Sequence, residues 1–224
     1  MKLKVLCACE ESQAVCKEFR ILGHEAYSCD ILECSGGYPF WHIRDDVLRH
    51  MSGRDLIIAF PPCTYLTVTG NRWFNIEKYG EMAIQRHRDR YNAIEFFMRF
   101  ITADCKYIAV ENPIGIMSTH YRKPDQIIQP WQYAIYDYEN TEKSTCLWLK
   151  NLPKLIPYHT ERPEVKYHDF TQGKRQTEWY YHTRCLPHEY RARAASKTFP
   201  GIARAMAAQW SKYIIEQEAG HEID

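Results

Sequence analysis

Short apolar runs alternate along the chain with longer stretches of helical spacing. Lys4 to Cys9 is an apolar run of strand length. Glu10 to Leu22 follows with Val15, Phe19 and Leu22 on one helical face and Gly23 as a stop. Ala26 to Cys29 reads as a second strand, ending at Asp30, and Asp55 to Phe60 as a third, stopped by Pro61 and Pro62. Ala83 to Ile101 carries the stripe Ile84, Tyr91, Ile94, Phe97, Met98 and Ile101, which predicts a long helix. Tyr107 to Val110 is a further strand, ended by Glu111-Asn112-Pro113; Ile127 to Tyr133 and Thr145 to Leu149 read as two more, and Phe199 to Ile215 as a closing helix. Such alternation predicts an α/β domain with an open, mostly parallel sheet. The carboxyl ends of the strands are where such sheets gather functional residues. Asp30, Pro61-Pro62-Cys63 and Glu111-Asn112-Pro113 all fall at predicted strand ends.

Residues 151–197 break the pattern. They are rich in Pro, His, Arg and Tyr and show no clear period. From Lys150 to Lys197 there are ten Lys and Arg against five Asp and Glu, a net of +5 in a chain whose whole formal charge is +1. The overall balance therefore excludes a globally basic nucleic-acid binder, and any attraction to phosphate must be local. Aromatic residues make up 14% of the chain, which serves either a core or platforms for unstacked bases. The nine cysteines, with no secretory signal ahead of the first strand, point to reduced thiols and a cytoplasmic protein. There is no C-x2-C pair and no apolar run of membrane-spanning length, so neither metal nor membrane is expected as a partner. His159, His168, His182 and His188 lack metal-ligand spacing.

Two strand ends carry the candidate chemistry. Two prolines stiffen the backbone before Cys63 and present its thiol above the sheet, as a nucleophile requires; a turn that merely needs a small residue reads the same. Glu111 approaches Cys63 if their strands are neighbours. A carboxyl that stays protonated can hydrogen-bond a ring nitrogen and draw electrons from the ring, whereas an ordinary strand-end carboxylate would cap the next turn.

Pro61-Pro62-Cys63 followed by Glu111-Asn112 resembles the cytosine-5 DNA methyltransferase family, and the small phage and prophage versions most of all. The resemblance runs over nearly the full length, through Val5 to Glu10, Gly23 to Asp30, Pro61 to Leu66, Val110 to Pro113, Gln129-Pro130-Trp131, Thr145 to Leu149 and Thr198 to Ala203. It implies a Rossmann-like sheet of the S-adenosylmethionine-dependent methyltransferase type with a small C-terminal recognition insertion. Residues 1–150 would be the cofactor-binding catalytic core, 151–195 the target-recognition segment and 196–224 the closing helix of the core. By the same resemblance Cys63 adds to carbon 6 of cytosine, Glu111 holds ring nitrogen N3 and the amino group, and Asn112 braces the cysteine loop. S-Adenosyl-L-methionine would lie on Ala8, Cys9, Glu10, Ser12, Asp30, Ile31, Asp46 and Pro61, with Asp30 on the ribose and Asp46 near the adenine.

The chain departs from that pattern twice. The glycine-rich turn expected after the first strand is Ala8-Cys9-Glu10-Glu11-Ser12-Gln13, without glycine. The family's arginine pair has its ungapped counterpart at Lys143 and Thr145, which leaves Lys143 to reach a base oxygen. Lys174, Arg175, Arg191 and Arg193 are candidate phosphate contacts, with a solvated face as the equal alternative. Trp73 is a candidate cover for the Cys63 loop, while Trp131 and Trp148 are expected in strands and core. The implied partner is DNA with its target cytosine flipped out. The same chemistry on a free pyrimidine nucleotide or single-stranded DNA, and a non-catalytic nucleic-acid-binding descendant, are the alternatives.

Overall fold

A computed structural model describes residues 1–170 and 175–221. The parallel strands are β1 (Lys4–Ala8), β2 (Glu25–Asp30), β3 (His42–Arg44), β4 (Leu56–Ala59) and β5 (Tyr107–Pro113). They are joined by β6 (Gln126–Ile128) and β7 (Thr145–Lys150) into one seven-stranded sheet of order β3-β2-β1-β4-β5-β7-β6. β7 alone runs against its neighbours β5 and β6. The fold is therefore α/β with a mostly parallel sheet, compatible with a Rossmann-like fold.

The strands are buried on both faces, and their residues divide by parity. Val5 and Cys7, Leu56 and Ile58, Tyr107 and Ala109 pack against α1 (Ala14–Ile21) and α7 (Pro200–His221). Leu6 and Ala8, Ile57 and Ala59, Ile108 and Val110 face α3 (Glu81–Ile101), whose Ile94, Phe97 and Phe100 complete that layer. This period of two is what a strand covered on both sides must show. A four-residue helix, α2 (Ile76–Tyr79), precedes α3, and another, α4 (Met117–His120), follows β5.

Several boundaries differ from the sequence reading for identifiable reasons. α1 begins at Ala14, not Glu10, because Glu10 folds back and accepts from the amides of Val15 (2.6 Å) and Cys16 (3.2 Å). Leu22, just past the end of α1, and Tyr91 are exposed; the buried residues are Val15, Cys16 and Phe19 in α1 and Ala83, Ile94, Phe97 and Phe100 in α3. β5 continues past Val110 to Pro113. β4 stops opposite Val110, but antiparallel β7 keeps pairing with Glu111, Asn112 and Pro113. The strand expected over Ile127 to Tyr133 ends at Ile128. Pro130 has no amide for a ladder, and a capping box between Gln129 and Gln132 starts a 3-10 turn over Pro130–Tyr133. Trp131 thus lies in that turn, half-buried, whereas Trp148 is in the core at 1% exposure.

The segment without sequence period has regular structure. β8 (Tyr167–Asp169) and β9 (Arg175–Thr177) form an antiparallel hairpin, followed by α5 (Glu178–Cys185) and α6 (His188–Ser196). Trp179 of α5 anchors the segment against Phe199 at the start of α7, ring centroids 5.0 Å apart. No residue of α6 is buried. Among the described residues no helix is long and apolar enough to cross a membrane.

Candidate active site

Strand order changes direction between β1 and β4: successive connections run outward to β2 and β3 on one side and to β4 and β5 on the other. The loops leaving β1 and β4 diverge there and leave a crevice at the carboxyl ends. A cleft of about 650 Å³ occupies that place. Its walls come from the loop after β1, the end of β2, the Pro61-Pro62-Cys63 turn, the overhanging end of β5, Lys143 just before β7, and α6.

Cys63 sits where the chain leaves β4, and its carbonyl accepts from the amides of Leu66 (2.9 Å) and Thr67 (3.0 Å) to close the turn. Asn112 is 1% exposed and donates Nδ2 to the Pro61 carbonyl at 2.7 Å, fixing the cysteine turn to β5. Its Oδ1 is buried without a partner. The close approach of these two elements needs Gly115, where an added Cβ would come within 2.1 Å of the Leu66 carbonyl oxygen. Burial holds the Glu111 carboxyl above its ordinary range, opposed by the Lys143 ammonium. Burial also pushes the Cys63 thiol up, the Glu111 charge pushes it further, and Lys143 pulls it down. The three groups form one electrostatic unit in which a neutral Glu111 favours the thiolate.

The other end of the cleft is built on the glycine-free turn. Cys9 and Gln13 adopt left-handed backbone, φ 58° and 57°, conformations that normally fall to glycine. Gln13 is fully buried and acts as a latch. Its Oε1 accepts from the Tyr38 amide at 3.1 Å and the Cys34 thiol at 2.9 Å, and its Nε2 donates to the Tyr38 carbonyl at 2.8 Å. The small residue that permits this approach is Gly36, where a Cβ would stand 2.5 Å from the Gln13 Cβ. The missing glycine of the first turn thus has a counterpart on the loop that packs over it. Sequence reasoning passed over Gln13; Ser35-Gly36-Gly37, one short loop after Asp30, was the available signal.

The structure brings Cys9, Glu10, Ser12, Asp30, Pro61, Cys63, Glu111, Asn112, Lys143 and Arg193 to this one cleft. No family model and no curated protein matches the chain. The remaining candidates lie elsewhere. Ala8 is fully buried under the sheet end, and Ile31 is 72% exposed outside the walls. Asp46 is exposed and caps the 3-10 turn Val47–Arg49 by accepting from the Leu48 amide at 3.0 Å. Glu10 faces the cleft but commits both oxygens to the first turn of α1; burial raises its pKa to about 7 despite those bonds. Trp73 lies beneath the Arg72 guanidinium, 4.7 Å from the ring centre, and is not a wall of the cleft.

The candidate phosphate contacts divide as well. Arg193 points into the cleft, its Nε 3.5 Å from Glu11 Oε1. Arg191 donates to the Leu186 carbonyl at 2.7 Å and finishes α5. Arg175 stacks over Tyr167, 4.3 Å from the ring centre. Lys174 lies outside the described residues. Among the described residues no group of three or more His, Cys, Asp or Glu is placed to hold a metal ion.

Proposed function

We propose that the chain methylates carbon 5 of cytosine in DNA, using S-adenosylmethionine and a covalent bond from Cys63. The reading rests on one observation: Cys63, Glu111 and Lys143 share the wall of a cleft that extends to Asp30 and Glu11. A simple turn cysteine needs no buried carboxyl and no cation beside it. The methyltransferase type of the Rossmann-like sheet is supported by the same layout, with the cleft above the β1–β4 switch point and one reversed strand delivering Lys143 to its rim.

The residues fit the implied cofactor. Asp30 ends β2 in the cleft wall, partly buried, and its carboxyl is held above the ordinary range chiefly by burial. That favours donors such as ribose hydroxyls as its partners. Glu11 offers a buried carboxylate oxygen without a partner, and Leu32, Phe60 and Pro61 supply apolar wall. When bound, S-adenosylmethionine supplies a methyl group on a positively charged sulfur. In the chain's own steps, Cys63 gives its proton to solvent, its sulfur bonds to carbon 6, and the electron pair of the carbon 5–carbon 6 double bond is displaced into the ring. Protonated Glu111 gives its proton to N3 as addition pushes electron density onto that nitrogen, and takes it back as carbon 5 attacks the methyl group. Lys143 stabilises the thiolate before attack. After carbon 5 has accepted the methyl, loss of its proton re-forms the ring double bond and expels the Cys63 sulfur.

The test is a duplex carrying 5-fluorocytosine, incubated with protein and S-adenosylmethionine. Fluorine cannot leave carbon 5 as a proton does, so the adduct accumulates and appears as a protein–DNA mass. Cys63→Ala forms none. A trapped adduct with 5-fluoro-dCMP but not with the duplex would move the substrate from DNA to the nucleotide.

A further inference from the structure

Two adjacent glutamates follow β1, and they are treated differently. Both oxygens of Glu10 are taken up by amides of α1. Glu11 is 9% exposed, lines the same cleft, and has its Oε2 buried with no hydrogen-bond partner. Its Oε1 faces Arg193 Nε at 3.5 Å, long for a charge-assisted hydrogen bond. Arg193 belongs to α6, and this contact is the one ion pair between α6 and the rest of the protein among the described residues. The helix otherwise turns its polar groups on itself and its neighbour: Ser196 Oγ donates to the Arg193 carbonyl and Arg191 to that of Leu186. A lid held by one loose ion pair lies over a half-satisfied carboxylate.

We propose that Glu11 and Arg193 form a seat for a free α-amino-acid group, with Glu11 Oε2 taking the ammonium and the Arg193 guanidinium the carboxylate, and that filling the seat fastens α6 over the cleft. The assignment rests on the cofactor reading above, since S-adenosylmethionine carries such a group on its sulfur. The charges suit it. Glu11 and Arg193 neutralise each other, and a zwitterion adds one charge of each sign, so both side chains gain a partner with no net change. The planar guanidinium matches a carboxylate with two parallel bonds, and it now spends only a 3.5 Å contact on Glu11. The other charged groups of this wall, Glu189 and Lys197, are one of each sign and leave the balance unaltered. With Asp30 near Glu11 on the same end of the cleft, the ribose and the amino acid of one nucleoside would be held there together, while Cys63 and Glu111 stay free for the base. The recognition segment would then be ordered by the cofactor before the target arrives.

Binding calorimetry on the full chain tests this with S-adenosylhomocysteine and 5′-methylthioadenosine, which share the adenine, ribose and sulfur and differ in the amino acid. Wild type is expected to prefer S-adenosylhomocysteine. Glu11→Gln and Arg193→Ala should each lower that affinity roughly 10- to 100-fold and leave methylthioadenosine binding unchanged. Arg193→Lys should restore part of it. Limited trypsin digestion within α6 should slow with S-adenosylhomocysteine in wild type, but with neither nucleoside in Glu11→Gln. Arg193 lies on a helix with no buried residue, so its loss leaves the fold intact. Variants that bind S-adenosylhomocysteine as wild type does, or that lose both ligands equally, overturn the seat alone. Wild type that binds neither nucleoside overturns the cofactor reading and the seat with it.

Discussion

The two ends of the cleft are made of different material. The Cys63 end is strand: β5 runs three residues beyond β4, β7 pairs with that overhang, and Asn112 ties the cysteine turn down at 2.7 Å. The Glu11 end is a turn held in left-handed backbone at Cys9 and Gln13, faced by a helix with no buried residue. A reacting atom must be placed to a few tenths of an ångström, and that demands the rigid frame. A ligand that enters and leaves needs a wall able to open. With the proposed nucleophile on the strand end and the proposed lid on the other, one protein would have both.

The sharpest way to break the comparison is at the rigid end. Cys63→Ala should abolish adduct formation and lower turnover by at least about 10³-fold, with the melting temperature little changed. Retained turnover would remove the reason for a rigid frame. The next effect is in pH. Burial lifts Glu10 to about 7 from its usual 4.5, so the folded chain keeps a proton that the unfolded chain releases. Stability present at pH 4 is lost as pH rises through that window, about 3 kcal/mol in all. Urea unfolding from pH 4 to 8 should show this fall, and Glu10→Gln should flatten it.

Asn112→Ala should cost about 1–3 kcal/mol, because the Pro61 carbonyl loses its donor in a buried place. It should also slow adduct formation while the affinity for S-adenosylhomocysteine holds, which separates the two ends directly. In β9, Arg175→Ala should lower the log–log salt slope of duplex binding by about 0.9. Arg191→Ala should change that slope less, since its side chain is engaged with the Leu186 carbonyl. Equal changes would mean that both arginines meet phosphate. The smallest effect concerns the strained turn. Cys9→Gly relieves a left-handed φ of 58° at the price of backbone freedom and should raise stability by up to about 1 kcal/mol. A fall in melting temperature would show that packing of the thiol outweighs the strain.

The rigid end was the readable one. Strands buried on both faces appear as unbroken apolar runs, so β1, β4 and β5 and the residues at their tips follow from the sequence. The end of β5 did not, because it depends on an antiparallel neighbour 32 to 36 residues further on. α5 and α6 were hidden for a different reason. α6 buries nothing and α5 buries only Thr183, so neither carries the apolar period that marks a helix. Arg193 accordingly read as a phosphate contact, and its pairing with Glu11, 182 positions earlier, had no local trace. The turn after β1 looked deficient because the search was for glycine in it, whereas the compact approach is made by Gly36 against Gln13.

The reversal of β7 also governs how residues 151–195 are hung. Because β7 enters at the cleft and runs away from it, the chain after Lys150 starts at the opposite edge of the sheet, where Lys150 and Asn151 bond to the Ala103 and Lys106 carbonyls. It must climb back past a six-residue strand, roughly 20 Å, to bring α6 to the wall of the cleft. Residues 152–166 make that climb as a strap laid along the molecule. Pro153 accepts from the Trp210 indole, Leu155 pairs with the Gln126 side chain, and Tyr158 and His159 donate amides to the Gln132 carbonyl. The strap therefore works as a spacer of fixed length. Any segment grafted in place of β8, β9, α5 and α6 would have to keep this span, since removing five residues would forfeit about 16 Å of reach and leave the new segment hanging short of the cleft.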